Sequence, residues 1–196
     1  MDIDSFLDWF AIKMYFGDSD PGNVMYYKLP TEGAKWKCLV YDMDYGLFNS
    51  EFDSPASYMK EKGMGLENVT NIVFRKILQV PEYQILFYKK MGALYQALTP
   101  ERMYSVLDEL TQRIEPDLEM HFKRWSLDKG WKMVNSDTPS SAEGMFSYWR
   151  TRVSRAKNII RKRPYYIYTL FQKQFRLTDR EMLYYFGSPC PEKPKD

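Results

Sequence analysis

The chain has 196 residues, 44% hydrophobic and 28% charged, with a formal net charge of +2, which is enough apolar material for one domain with a real core. The near-neutral balance gives no argument for nucleic acid or an anionic membrane as partner, and no stretch approaches the roughly 18 apolar residues of a membrane span. One histidine, His121, and two cysteines, Cys38 and Cys190, leave no basis for a histidine metal cluster, a zinc site or a disulfide framework.

The N-terminus, MDIDSFLDWF, is acidic and amphipathic and lacks the basic start and cleavage site of a signal peptide. This fits either a cytoplasmic protein or a chain without its leader. Ile3, Phe6, Leu7, Phe10, Ala11 and Met14 recur at helical spacing. Asp2 or Asp4 can cap that helix, and Gly17 ends it. The turn Gly17–Asn23 follows. Val24–Leu29 and Lys35–Tyr41 read as two strands joined at Pro30–Gly33. Trp36, Cys38 and Val40 alternate with Lys35, Lys37 and Leu39, which predicts one largely buried face. Asn49–Gly65 reads as loop with one helical turn, and its Gly63-Met64-Gly65 has no strand context for a phosphate loop. The rest is helical: Val69–Leu78, Pro81–Leu98, then a helix opened by Thr99-Pro100 with the stripe Met103, Val106, Leu107, Leu110 and Ile114. Pro116 kinks that helix or starts a new one. Ser140 with Glu143 and Thr178 with Glu181 read as capping boxes, and Met145, Trp149, Val153, Ala156 and Ile160 line a long helix between them. The predicted fold class is α+β, mostly helical, with a short β-hairpin; residues 188–196 read as a disordered tail.

The chemistry lies around the hairpin. Asp18, Asp20 and Asn23 stand in the turn before its first strand, and Asp42 and Asp44 follow its second, so both clusters emerge at one end. Asp in turns is commonplace, because its side chain bonds its own backbone. A calcium loop is set aside, since Pro21 and Gly22 break the register and no Glu closes it. Carboxylates and an amide brought together make a hard oxygen site suited to magnesium and phosphates. Protein kinases need an Asp at the acceptor hydroxyl, an Asn on the metal and a second Asp on the metal after a strand. Asp20, Asn23 and the run Asp42-Met43-Asp44-Tyr45-Gly46 supply those types in that order, although Asp20 and Asn23 are closely spaced and there is no H-R-D.

The segments D-I-D-S-F-L-D-W-F, Y-F-G-D-S-D-P-G-N, K-W-K-C-L-V-Y-D-M-D-Y-G, H-F-K-R-W and R-K-R-P resemble the spore-coat CotH kinase family, from about Asp2 to about Phe186. The resemblance implies the C-terminal lobe, residues 1–187, of an atypical Ser/Thr protein kinase using ATP and Mg or Mn on coat or secreted proteins. It gives Asp20 the catalytic role and Asn23 a metal-side role. Either Asp42 or Asp44 carries the main metal contact: the D-F-G analogy favours Asp44, the family's W-D-x-D pattern Asp42. In this family a β-rich lobe holding the ATP-gripping lysine precedes the first helix, and no such lysine is present here. Weak or absent activity is therefore expected of this chain alone. The expected partner is a protein substrate, with no membrane and no nucleic acid, and the expected location is spore coat or cell surface.

Two other readings stand beside it. One is a non-catalytic structural or interaction module that keeps its acidic residues for folding. The other is a nucleic-acid binder using the basic helix of Arg150, Arg152, Arg155, Lys157, Arg161, Lys162 and Arg163, which otherwise reads as a solvated face. Arg124-Trp125 and Trp131 are expected to pack the helices against the hairpin, and Tyr165, Tyr166 and Tyr168 to form core and rim.

Overall fold

The computed structural model describes residues 1–18, 20, 24–61, 71–125, 139 and 141–195. The elements are α1 (Ile3–Phe16), β1 (Met25–Tyr27), β2 (Lys37–Leu39), α2 (Ser54–Met59), α3 (Ile72–Ile77), α4 (Pro81–Ala97), α5 (Pro100–Arg124), α6 (Ala142–Phe175) and α7 (Asp179–Phe186). The fold is α+β and mostly helical, as expected. The chain forms two compact units, residues 1–99 with 161–196, and residues 100–160.

In the first unit α1 starts at Asp2, whose carboxylate accepts from the Ser5 N–H at 3.2 Å. It ends at Gly17, in the left-handed conformation with φ 64°, where a side chain would be strained. The Gly17 N–H donates to Met14 O and the Asp18 N–H to Lys13 O, the paired closure of a Schellman ending. α7 starts with the expected Thr178–Glu181 capping box.

The core is aromatic. Phe10 of α1 stacks on Phe74 of α3 at 4.0 Å, Phe74 meets Phe87 of α4 edge-on at 5.1 Å, and Phe171 of α6 lies 5.3 Å from Phe186 of α7. Phe74, Phe87, Phe171 and Phe186 are all fully buried; each ring pair contributes about 0.5–1.5 kcal/mol beyond its buried area. α4 crosses α1 on one side and α7 on the other.

The second crossing depends on Gly92. A β-carbon there would stand 1.8 Å from the Tyr185 carbonyl oxygen, so only glycine lets the helix backbones approach this closely. Gly92→Ala is expected to lower stability by about 1–3 kcal/mol, although alanine is the better helix former. Urea denaturation checks this; an alanine variant as stable as the parent would contradict the crossing.

The hairpin departs from its expected packing. β1 and β2 pair antiparallel with Tyr26 opposite Cys38. Trp36 and Val40, expected on a buried face, are 51% and 45% exposed, and Cys38 is half-buried. The reason lies in how β2 docks: its backbone edge meets the start of α1, Trp36 O accepting from the Asp2 N–H at 2.8 Å and the Cys38 N–H donating to Ser5 Oγ at 3.1 Å. An edge attachment fixes the strand without covering either face. Met25, Tyr26, Tyr27, Leu39 and Tyr41 are exposed as well. Cys38 and Cys190 are free thiols, and burial pushes that of Cys38 up to about 11.

The second unit holds α5 and the first part of α6. α5 runs through Pro116 without ending. Its expected apolar stripe is largely uncovered, with Val106, Leu110 and Ile114 about half exposed. Arg150 of α6 reaches Glu115 at 2.7 Å and Lys157 reaches Asp108 at 2.5 Å, so part of the basic face is ion-paired. Ser141 Oγ accepts from the Gly144 N–H at the start of α6; Ser140 lies outside the described residues, as do Trp131 and Gly63-Met64-Gly65. Trp125 is exposed, with the Arg124 guanidinium 4.9 Å from its ring. In α6 Tyr168 is buried and Tyr165 and Tyr166 are half-buried, the expected core and rim. Residues 188–195 form no helix or strand; the Ser188 carbonyl accepts from Tyr168 and that of Lys195 from Arg161.

Candidate functional site

The site is organised by the C-terminus of α1. The last four carbonyls of a helix have no partner within it, and here each is taken up from outside. Lys13 O accepts from the Asp18 N–H. Met14 O accepts from Gly17 N–H, Ser54 Oγ and Arg163 Nη2. Tyr15 O accepts from Arg163 Nε at 2.7 Å, and Phe16 O from the Leu47 N–H at 2.7 Å. The last of these bonds places the loop that carries Asp42 and Asp44 beside the turn that carries Asp18 and Asp20.

Arg163 was expected on the solvated face of its helix. It is instead 1% exposed. The α6 stripe Ile160, Ile167 and Phe171 faces the core, and residue 163 falls on it. Its guanidinium also donates to the carbonyls of Ser50 and Phe52, both at 2.9 Å, and to Ser54 Oγ at 2.7 Å. Burial lowers its pKa to about 10. The cation is held by neutral oxygens at the negative end of a helix dipole, a favourable place for it.

Lys13 is equally buried. Its ammonium lies 2.9 Å from Asp18 Oδ2, donates to the Asp20 carbonyl at 3.0 Å and sits 4.7 Å from the centre of the Trp9 ring. Asp18 is fully buried, and its Oδ1 accepts from the Asp20 N–H at 2.9 Å. Tyr58 of α2 donates to the Asp18 carbonyl at 2.7 Å. Burial raises the Tyr58 hydroxyl, and the charges of Asp18 and Asp20 raise it further. Asp18 is thus a buried anchor held by Lys13 and Tyr58, and Asp20 is left half-exposed.

Asp42 stands in the left-handed region with φ 51°, a conformation that asparagine and aspartate tolerate best among residues with side chains and that clusters at functional sites. Its carboxyl titrates above the ordinary range. Desolvation comes first, then the charge of Asp44 and a hydrogen bond to it, then the charges of Asp20 and Asp18. Asp20, Asp42 and Asp44 therefore share one acidic neighbourhood. Asn23 lies outside the described residues. Among the described residues no three His, Cys, Asp or Glu side chains stand grouped closely enough to hold a metal ion between them. The donors themselves are hard oxygens, the type magnesium takes, and magnesium commonly uses only one or two carboxylates with phosphate oxygens and water completing its shell. Asp42 and Asp44 fit that role.

Lys13 and Tyr58 were not singled out in the sequence, and Arg163 was named only as part of the basic helix. The signal for the two cations was a charged residue on an apolar stripe: Lys13 follows Phe6 and Phe10 at helical spacing, and Arg163 lies between Ile160 and Ile167.

The chain is mostly helical α+β, with an acidic cluster between a capped helix and a short hairpin. The CotH kinase protein family matches residues 1–167, and the chain belongs to that family. No curated protein and no solved structure matches it. Among the described residues no helix is long and apolar enough to cross a membrane.

Proposed function

We propose that this chain is the metal- and acceptor-binding lobe of an atypical protein kinase that transfers phosphate from ATP to protein Ser or Thr. The observation that carries the reading is the gathering of Asp42 with Asp44, Asp20 and Asp18: the Asp42 carboxyl is raised first by desolvation, then by the charge of Asp44 and a hydrogen bond to it, then by the charges of Asp20 and Asp18. Asp18 is paired with the buried Lys13, and the mutual repulsion of Asp42 and Asp44 is what a divalent cation relieves.

The roles follow from the environments. Asp18 is committed to Lys13 and has no exposed surface, so it supports the turn. Asp20, half-exposed and tethered at both its N–H and its carbonyl, is the carboxylate that would orient an acceptor hydroxyl. Asp42 and Asp44 would hold the metal with Asn23, and a bound Mg or Mn would neutralise charge building on the transferred phosphate. The exposed aromatic hairpin beside the cluster is apolar surface that a protein substrate would cover. A coat or secreted protein is the proposed substrate class.

Asp42 also sets the pH dependence. Its pKa is raised in the folded state above the ordinary 3.8. Within that window the folded form holds more protons than the unfolded one, so stability falls as pH rises through it. A cation competes with that proton. Mg²⁺ or Mn²⁺ is expected to raise the melting temperature at neutral pH and to lose the effect as pH falls through the raised value, at higher pH than an isolated carboxylate would require. Asp42→Ala is expected to abolish the shift. An unchanged melting temperature with metal, ATP or both would favour the second reading, a silent structural or interaction module, which the uncovered hairpin also fits.

A further inference from the structure

A cleft of about 500 Å³ lies in the first unit, lined by α3, the start of α4 and the end of α6. It is separate from the acidic cluster and of opposite character. Arg75 and Arg176 line it together with Gln79, Gln84 and Gln174. Its volume is within the usual range for ligand sites, about 300–1,000 Å³.

Arg176 is the telling residue. It closes α6 in the left-handed conformation, φ 53°, with its N–H on Lys173 O and the Leu177 N–H on Gln172 O. α1 and α7 end on a residue of the same conformation, and both use glycine, Gly17 and Gly187. A β-carbon at such a position is a steric cost that glycine avoids. The helix dipole favours a cation near a C-terminus, but Lys173 in the last turn already supplies one. Folding alone therefore favours glycine at position 176, and the arginine side chain lines the cleft instead.

Glu61 indicates what enters. Its side chain is 89% exposed, yet its Oε1 lies 3.9 Å from Arg75 Nη1, so a carboxylate already approaches the rim from solvent at the outer limit of an ion pair.

We propose that this cleft binds an acidic peptide segment, with Arg75 and Arg176 taking a carboxylate or phosphate group of one side chain. Guanidinium groups pair with such oxyanions in a two-pronged geometry. The three glutamines each offer a donor and an acceptor, matching the alternating N–H and C=O of an extended peptide. Glu61 acts as the chain's own weak competitor. This proposal is independent of phosphate transfer at the acidic cluster.

The test is fluorescence anisotropy with three fluorescein-labelled decapeptides built from Ser and Gly, carrying Glu, phosphoserine or Gln at the same positions. The charged peptides are expected to bind, more weakly as salt is added, and the Gln peptide is not. A preference between the first two identifies the source of the oxyanion. Arg176→Gly is expected to cost about tenfold in affinity while raising the melting temperature, a combination that a purely structural arginine would not give. Arg75→Gln should also weaken binding, Glu61→Gln should strengthen it, and Arg150→Gln in the second unit should leave it unchanged. Equal binding of charged and neutral peptides, or affinities unmoved by Arg176→Gly and Glu61→Gln, would overturn the proposal.

Discussion

Arg163→Met is expected to lower folding stability by about 3–4 kcal/mol, seen as a clear drop in the urea midpoint. The guanidinium donates to five oxygens from a position with 1% exposure. Three of the five acceptors keep another partner without it. Met14 O retains Gly17 N–H and Ser54 Oγ, Phe52 O retains the Ser54 N–H, and Ser54 Oγ still donates to Met14 O. The Tyr15 and Ser50 carbonyls lose the only bond shown for them among the described residues. An orphaned buried acceptor costs roughly 1–3 kcal/mol, and two of them outweigh the relief of no longer desolvating a cation. Methionine fills the channel of the arginine stem, so the loss reports the hydrogen bonds rather than a cavity. Arg163→Lys keeps the charge but has three donors on a single nitrogen instead of five on a planar fork, and should recover only part of the loss. A methionine variant within about 1 kcal/mol of the parent would show that the bonded network contributes little net stability.

The position of Arg163 also shows where the sequence was legible and where it was not. Helix existence follows from apolar periodicity, and α1, α4, α5 and α7 begin where their capping residues or prolines stand. The nearness of the two Asp-rich segments was legible as well, because an Asp-rich turn and an Asp-rich strand exit meet if the strands between them pair. Burial of the hairpin was not. Period-two alternation marks a face that can be buried, but β2 attaches by its backbone edge, and no pattern of side chains reports that. The basic helix misled for a related reason. Counting cations along α6 ignores phase, and Arg163 differs from Arg155 or Arg161 only in lying on the stripe of Ile160 and Ile167. A charge on an apolar stripe is a specific sequence anomaly, and Lys13 and Arg163, two such residues, hold the end of α1 and the residues beside the candidate site.

Lys13 provides the second large effect. Lys13→Met is expected to destabilise the fold by about 3–5 kcal/mol, because it leaves the Asp18 carboxylate buried with no cation. The pair is 1% and 0% exposed, so solvent screening offers no discount. Adding Asp18→Asn should restore most of the stability. The asparagine oxygen can still accept the Asp20 N–H that now bonds Asp18 Oδ1 at 2.9 Å, and no buried charge remains. The coupling between the two substitutions should reach about 2–3 kcal/mol; additive single effects would mean that the ion pair is not the source of the loss. The double variant also separates folding from function. It lacks the Lys13 bond to the Asp20 carbonyl at 3.0 Å, the tether that holds Asp20 in place. If the acidic cluster binds metal in the parent chain, the double variant should fold with nearly parental stability and still show a reduced Mn²⁺-dependent rise in melting temperature. A full metal response in that background would assign Lys13 to the fold alone, whereas a weakened one would make it a positioning residue for Asp20.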